Sequence, residues 1–177
     1  MSRSALQQIA LKPQDLFVLF ALRGEGDRQP SYSDLANRTG LAASAIHGAL
    51  KRAAAAGLVL FRDRRPSLVR SALRDFVIGG ARYAFPPVKG QLARGIPTGY
   101  AAPPLNTLIA PSSDPPPVWP HAEGSTRGIA IAPLYPSAAS ASLRDPALHE
   151  LLALFDAIRD GQARERELAR KLIAERL

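Results

Sequence analysis

Twelve of the 16 prolines fall between residues 86 and 142, three of them consecutively at Pro115, Pro116 and Pro117. Proline has no backbone N–H and its ring clashes inside a helix, so such density forbids long helices and central strands. The 177 residues therefore divide in three: a helix-rich unit over 1–85, a proline-rich segment over 86–142 and a helix-forming segment over 143–177. The middle segment carries Tyr100, Trp119 and Tyr135 among several Leu and Ile, too bulky and apolar for a flexible linker. It is expected to be an ordered, irregular wrap, with one strand-like stretch at Ile129-Ala130-Ile131.

The first unit has clear helical periodicity. Pro13 suits a first helical turn, where a missing N–H costs nothing, and Leu16, Phe17, Leu19, Phe20 and Leu22 follow before Gly24. Glu25 to Pro30 reads as a polar loop. Ser33 reads as the cap of a short helix, Asp34 to Arg38, with Leu35 and Ala36 inward. Gly40 permits a tight turn, and Ala43 to Ala56 forms the next helix with Ile46, Ala49, Leu50 and Ala53 along one stripe until Gly57. Leu58-Val59-Leu60-Phe61 is a strand candidate and Arg62 to Pro66 a basic turn. A second strand is left open. Ser67 could instead cap a helix through Leu68, Val69, Leu73, Phe76 and Val77 to Gly79-Gly80, which would leave one strand and a loop.

Charge narrows the partner. The net +8 is concentrated in residues 1–85, which hold 13 Lys and Arg against 6 Asp and Glu, while residues 143–177 balance at 7 and 7. A localised excess points to a polyanion, where a diffuse one serves only solubility. No cysteine is present, which removes disulfides, thiolate metal sites and thiol nucleophiles. His47, His121 and His149 stand apart without metal-ligand spacing. Gly24-Glu25-Gly26 and the Gly95 to Gly99 stretch lack the lysine of a phosphate cradle, and no serine sits in a nucleophile elbow. No catalytic residue, metal or cofactor is nominated, and the chain is not read as an enzyme. Met1 to Leu11 does not read as a secretory signal and no run of eighteen apolar residues occurs, so a cytoplasmic protein without membrane association is expected.

Tyr32-Ser33-Asp34-Leu35-Ala36-Asn37-Arg38-Thr39-Gly40-Leu41, continuing to Leu58-Val59, has the parts of a helix-turn-helix. Ala36 is small where two helices touch, Gly40 makes the turn, and Leu41, Ile46 and Leu50 anchor the second helix. The stretch from about residue 13 to 62 resembles the bacterial winged helix-turn-helix transcriptional regulators, in which D-L-A-x-x-T-G-L leads to a helix ending in G-L-V. The chain is also similar to small regulators encoded beside a nucleotidyltransferase gene, through Gly80 to Pro86, Arg94 to Thr98, Leu151 to Leu154 and Arg164-Glu165-Arg166. That similarity implies an autoregulator, or the antitoxin of a toxin–antitoxin pair whose partner is a toxin-like nucleotidyltransferase.

The fold class expected is thus mainly α with a little β: a winged helix-turn-helix domain, a proline-rich irregular segment and C-terminal helices. Double-stranded DNA is the expected partner. Ala43, Ser44, His47 and Gly48 would face base edges. Lys51 and Arg52, with Ser31, Ser33 and Arg38 from the bracing helix and Arg62, Arg64 and Arg65 from the wing, would reach phosphates. An adaptor that grips a partner protein through the proline-rich and C-terminal regions is the alternative, and RNA binding a third reading. At the C-terminus, Asp145-Pro146 opens a helix whose Leu148, Leu151, Leu152, Leu154, Phe155 and Ile158 exceed one apolar face; after Gly161 a more polar helix follows. The surplus predicts a homodimer, unless the proline-rich segment covers it within one chain.

Overall fold

A computed structural model describes residues 8–23, 30–110 and 112–177. Helix α1 (Pro13–Leu22) starts with proline at its first position, and every residue from Asp15 to Leu22 is buried. A helix apolar all round belongs in a core, and here it is the axis on which the others pack. Gly24 and most of the expected polar loop lie outside the described residues.

Helix α2 (Tyr32–Thr39) begins one residue earlier than its predicted cap. Ser31, not Ser33, is the N-cap: its Oγ accepts from the Asp34 N–H at 3.1 Å, and the Asp34 carboxylate accepts from the Ser31 N–H at 2.9 Å. Only Ser31 has an acidic residue three positions on to close this reciprocal box. Gly40 follows in the left-handed region at φ 71°, donating to the Ala36 carbonyl. Helix α3 (Ala43–Ala55) buries Ile46, Ala49, Leu50 and Ala53, the expected stripe. It ends in a Schellman arrangement, with Gly57 donating to Ala54 and Leu58 to Ala53.

That ending launches a complete hairpin, β1 (Val59–Arg62) antiparallel to β2 (Arg65–Leu68). The one-strand alternative, with Ser67 as a helix cap, is overturned. Pro66 lies opposite Phe61, a position between the hydrogen-bonded pairs of a two-residue hairpin, where its missing N–H is not needed. The next helix starts three residues later than Ser67, as α4 (Arg70–Asp75), and runs on through a π-helical turn (Phe76–Gly80) into α5 (Ala81–Ala84). It passes the glycines expected to stop it. Phe76 packs edge-on against Phe85 across that turn at 6.2 Å.

The proline-rich segment is not irregular throughout. It holds three strands, β3 (Lys89–Pro97), β4 (Pro117–Pro120) and β5 (Thr126–Ile131), each paired with both others. β3 runs antiparallel to β4 through Gly95–Pro97 and to β5 through Lys89–Gly95, while β4 and β5 pair in parallel. Prolines fit because they sit at strand ends: Pro97, Pro117 and Pro120. Closing so small a barrel brings backbones together, and a Cβ on Gly95 would overlap the Trp119 carbonyl. Two short 3₁₀ turns link β3 to β4.

Three more helices complete the chain: α6 (Ala138–Ser142), α7 (Pro146–Asp160) and α8 (Ala163–Arg176). Asp145 caps α7, accepting from the Leu148 N–H at 3.0 Å. One buried cluster runs from Leu16 in α1 through Ile46 and Leu50 in α3 to Phe155 and Ile173 in α7 and α8, with Trp119 included. Every residue from Leu151 to Arg159 is buried, so the apolar surplus of α7 is covered by its own chain. Across its barrel side, Asp156 accepts from Thr98 Oγ1 and Trp119 Nε1, each at 2.7 Å, and pairs with Arg159 at 2.7 Å. The result is a mixed α/β fold. Among the described residues no helix is long and apolar enough to cross a membrane.

Candidate nucleic-acid interface

Helix α3 presents opposite faces to different surroundings. Its stripe of Ile46, Ala49, Leu50 and Ala53 is sealed against α1 and β1, leaving Ala43, Ser44, His47 and Lys51 exposed on the other side. The two are consequences of one pattern, because residues three and four apart share a face. The His47 ring rests 6.3 Å from that of Tyr32, a neighbour the sequence reading did not single out. Ser31 and Ser33 are exposed at the start of α2, although Ser31 is engaged with Asp34.

The hairpin adds an exposed basic tip. Arg62, Arg64 and Arg65 are all exposed, as are Leu60 and Phe61, at 52% and 42%. Asp63 and Arg64 form the two-residue turn with φ of 49° and 64°. Positive φ at both positions suits the right-handed twist of a hairpin, but the usual occupants are Asn and Gly. Arginine there costs about 1 kcal/mol through Cβ crowding. The tip thus retains a cation where glycine would sit more comfortably.

Two predicted contacts are corrected. Arg38 does not reach outward: its Nε pairs with Asp145 at 2.6 Å and its Nη1 donates to the Ala21 carbonyl at 2.6 Å. Arg52 grips Asp15 through two hydrogen bonds of 2.9 and 2.7 Å, and that carboxylate is fully shielded from solvent. Donating hydrogen bonds to Asp15 holds the Arg52 guanidinium above its ordinary pKa against the opposing effect of burial. Gly48, the remaining candidate on α3, is half-buried, and a Cβ there would stand 3.4 Å from Arg52 Nη1, an ordinary contact.

The residues missed by sequence reading are the partners that fix the unit in place. Asp15 is one, and its signal is legible in hindsight: a lone carboxylate inside an apolar helix requires a cation. Asp145 and Ser137 are others. Ser137 Oγ donates to the Thr39 carbonyl at 2.7 Å, so the α2–α3 turn is tied to the segment before α6. Among the described residues no group of three or more His, Asp or Glu converges as a metal site would require. Comparison with protein-family models, with curated proteins and with solved structures returns no match for the chain.

Proposed function

We propose that the chain is a sequence-specific DNA-binding transcriptional regulator, a repressor or autoregulator, using a winged helix-turn-helix made of α2, α3 and the β1–β2 hairpin. The observation that carries the reading is the joint exposure of Ser44, His47 and Lys51 on α3 with Arg62, Arg64 and Arg65 on the hairpin that α3 leads into. A helix braced by another and left polar on its outer face has the shape and donors that a major groove admits. The strained cation at Arg64 points the same way, because backbone strain is retained where a side chain is needed. In this reading Ala43, Ser44 and His47 meet base edges, while Lys51, Arg62, Arg64 and Arg65 neutralise phosphates. Ser31 and Ser33 stand at the edge of the same surface.

Titrating salt against binding to DNA from upstream of the protein's own gene, with competitor RNA, tests this. Affinity should fall steeply, and Arg64→Ala with Arg65→Ala should lower the log–log slope by about 2. Ser44→Ala and His47→Ala should each relax preference for the site by about 1–3 kcal/mol. RNA competing as well as DNA would sink the reading. Two copies on a palindromic site belong to the same proposal, with the pairing surface elsewhere than the enclosed α7. A partner-binding role, as in an antitoxin, has one observation in its favour: Val88 and Leu92 stand exposed at and beside β3, at 64% and 51%.

A further inference from the structure

Two pairs of arginines stand directly across a β-ladder from one another. In the wing, Arg62 lies opposite Arg65, and two residues along the same face Leu60 lies opposite Ser67. In the barrel, Arg94 of β3 lies opposite Arg127 of β5, and two residues along that face Leu92 lies opposite Ile129. All four arginines are exposed, and none joins a salt bridge among the described residues. Like charges directly opposite destabilise an antiparallel pair, so neither arrangement strengthens its own ladder.

The barrel pair lies where cations are scarce. Residues 86–142 hold three, Lys89, Arg94 and Arg127, against Asp114 and Glu123. Lys89 is engaged with Asp160 at 2.8 Å, so the two cations left over meet at one rung of the ladder. Arg94 is anchored, its Nε donating to the Gly124 carbonyl in the turn before β5. The Arg127 side chain makes no hydrogen bond among the described residues. A Cβ on Gly128 would overlap the Pro116 carbonyl, so the strands beneath the pair lie together without slack.

Hydrogen bonds connect this rung to the helix-turn-helix. Ser137 Oγ holds the Thr39 carbonyl at 2.7 Å; one turn on, Ser140 Oγ meets His121 Nε2 at 2.9 Å; and the His121 N–H donates to the Arg94 carbonyl at 3.2 Å. The links run from the α2–α3 turn, next to the exposed start of α3, to the barrel. Cross-strand neighbours stand about 5 Å apart at Cβ, so two guanidiniums on one rung can grip the same or adjacent phosphates, whose oxygens suit arginine's planar fork. We propose that the Arg94–Arg127 rung is a second phosphate-contact surface, engaging the flank of the duplex that α3 and the wing engage. The wing rung, assigned above to phosphates, has the same makeup of two arginines beside an exposed leucine. The inference rests on the DNA-binding reading and extends it to the proline-rich segment.

Salt-titrated binding of the full chain to a random-sequence duplex of about 30 base pairs, roughly three helical turns, tests the surface, because phosphate contacts need no operator. Arg127→Gln should lower the log–log slope by about 1, and Arg94→Gln with Arg127→Gln by about 2, on top of the loss caused by Arg64→Ala with Arg65→Ala. Arg127→Lys, which keeps the charge, should keep the slope. Urea midpoints report folding. Arg127→Gln breaks no contact and relieves the like-charge rung, so it should be no less stable than wild type, and it serves alone if loss of the Gly124 anchor unfolds the double variant. A folded Arg127→Gln with the wild-type slope, while Arg64→Ala with Arg65→Ala lowers it, overturns the second surface and leaves the DNA-binding reading standing. So does an Arg127→Lys as impaired as Arg127→Gln. Poly-glutamate binding that Arg127→Gln abolishes, with the DNA slope unchanged, overturns it in favour of an acidic protein. A wild-type chain that does not bind the duplex overturns both readings.

Discussion

Replacing Asp156 by alanine should be among the most damaging single changes the chain can undergo. The carboxylate is 1% exposed and accepts three side-chain hydrogen bonds of 2.7 Å, from Thr98, Trp119 and Arg159. Its loss strands the Arg159 charge in the interior, which costs about 3–5 kcal/mol, and leaves two neutral donors unpaired at about 1 kcal/mol or more each. The Arg159 Nη2 bond to the Ala132 carbonyl at 2.9 Å survives and softens the first figure. The contributions share one site and are not additive, so about 4–6 kcal/mol is expected overall. Against a typical stability of about 5–15 kcal/mol, the variant should be barely folded. Trp119, the single tryptophan, donates to the very carboxylate removed, so its fluorescence in a urea titration reports the site directly. Adding Arg159→Met removes the stranded charge, and the double variant should recover part of the loss. A cost under about 1 kcal/mol, or a double variant less stable than the single, would refute the view that this carboxylate fastens the barrel to α7.

Arg52→Met should lower unfolding free energy by about 3 kcal/mol by leaving buried Asp15 unpaired. It should leave the salt slope of DNA binding unchanged, whereas Lys51→Ala should lower the slope by about 1 with stability within about 0.5 kcal/mol of wild type. Arg64→Gly should raise stability by about 1 kcal/mol by relieving the left-handed turn while weakening DNA binding, as read by urea midpoint and fluorescence anisotropy. Burial first, then the charges of Glu165 and Asp114, hold the Tyr100 phenol above its usual range. Its stabilising contribution is therefore complete below the unfolded phenol value and lost as pH rises through the folded one, and an ultraviolet titration should show a late-ionising fraction that Tyr100→Phe removes. Ending the chain at Leu143 should abolish cooperative unfolding of α1–α3, measured by circular dichroism, because Phe155 packs on Phe20 and Asp145 holds Arg38.

What could be read in the sequence was whatever is decided within one or two turns. Pro13 and the run from Leu16 to Leu22 specify α1, the stripe through Ile46 and Leu50 specifies α3, and Asp145-Pro146 specifies the start of α7. The second strand was hidden because Pro66 argues against a strand and Asp63-Arg64 lacks the Asn-Gly signature of a tight hairpin. The three-stranded barrel was hidden because its pairings join residues tens of positions apart, such as Ile96 with Trp119 and Leu92 with Ile129. Among the candidate contacts, Ser44, His47, Lys51 and the hairpin arginines lie exposed as their spacing requires. Arg38 and Arg52 could not be told from them locally, because the carboxylates that claim them lie 107 and 37 residues away.

The same limit governs the surplus of apolar residues on α7. Periodicity says that such a helix must be covered on more than one face; it says nothing about which chain supplies the cover. Here the cover is intramolecular, and polar chemistry reveals why it is specific. Trp119 and Thr98 approach α7 from the barrel and share one oxygen of Asp156, so the prolines that exclude long helices also shape a compact body that docks on a single buried acceptor. A carboxylate placed among Leu154, Phe155 and Ala157 is costly unless donors arrive from elsewhere in the fold. The donors Asp156 finds are Thr98 and Trp119 of its own chain, which a purely apolar dimer seam would not supply. Any pairing of two copies must use surfaces that are still open, and large apolar groups left in solvent at Tyr83, Val88 and Leu92 lie on or beside α5 and β3.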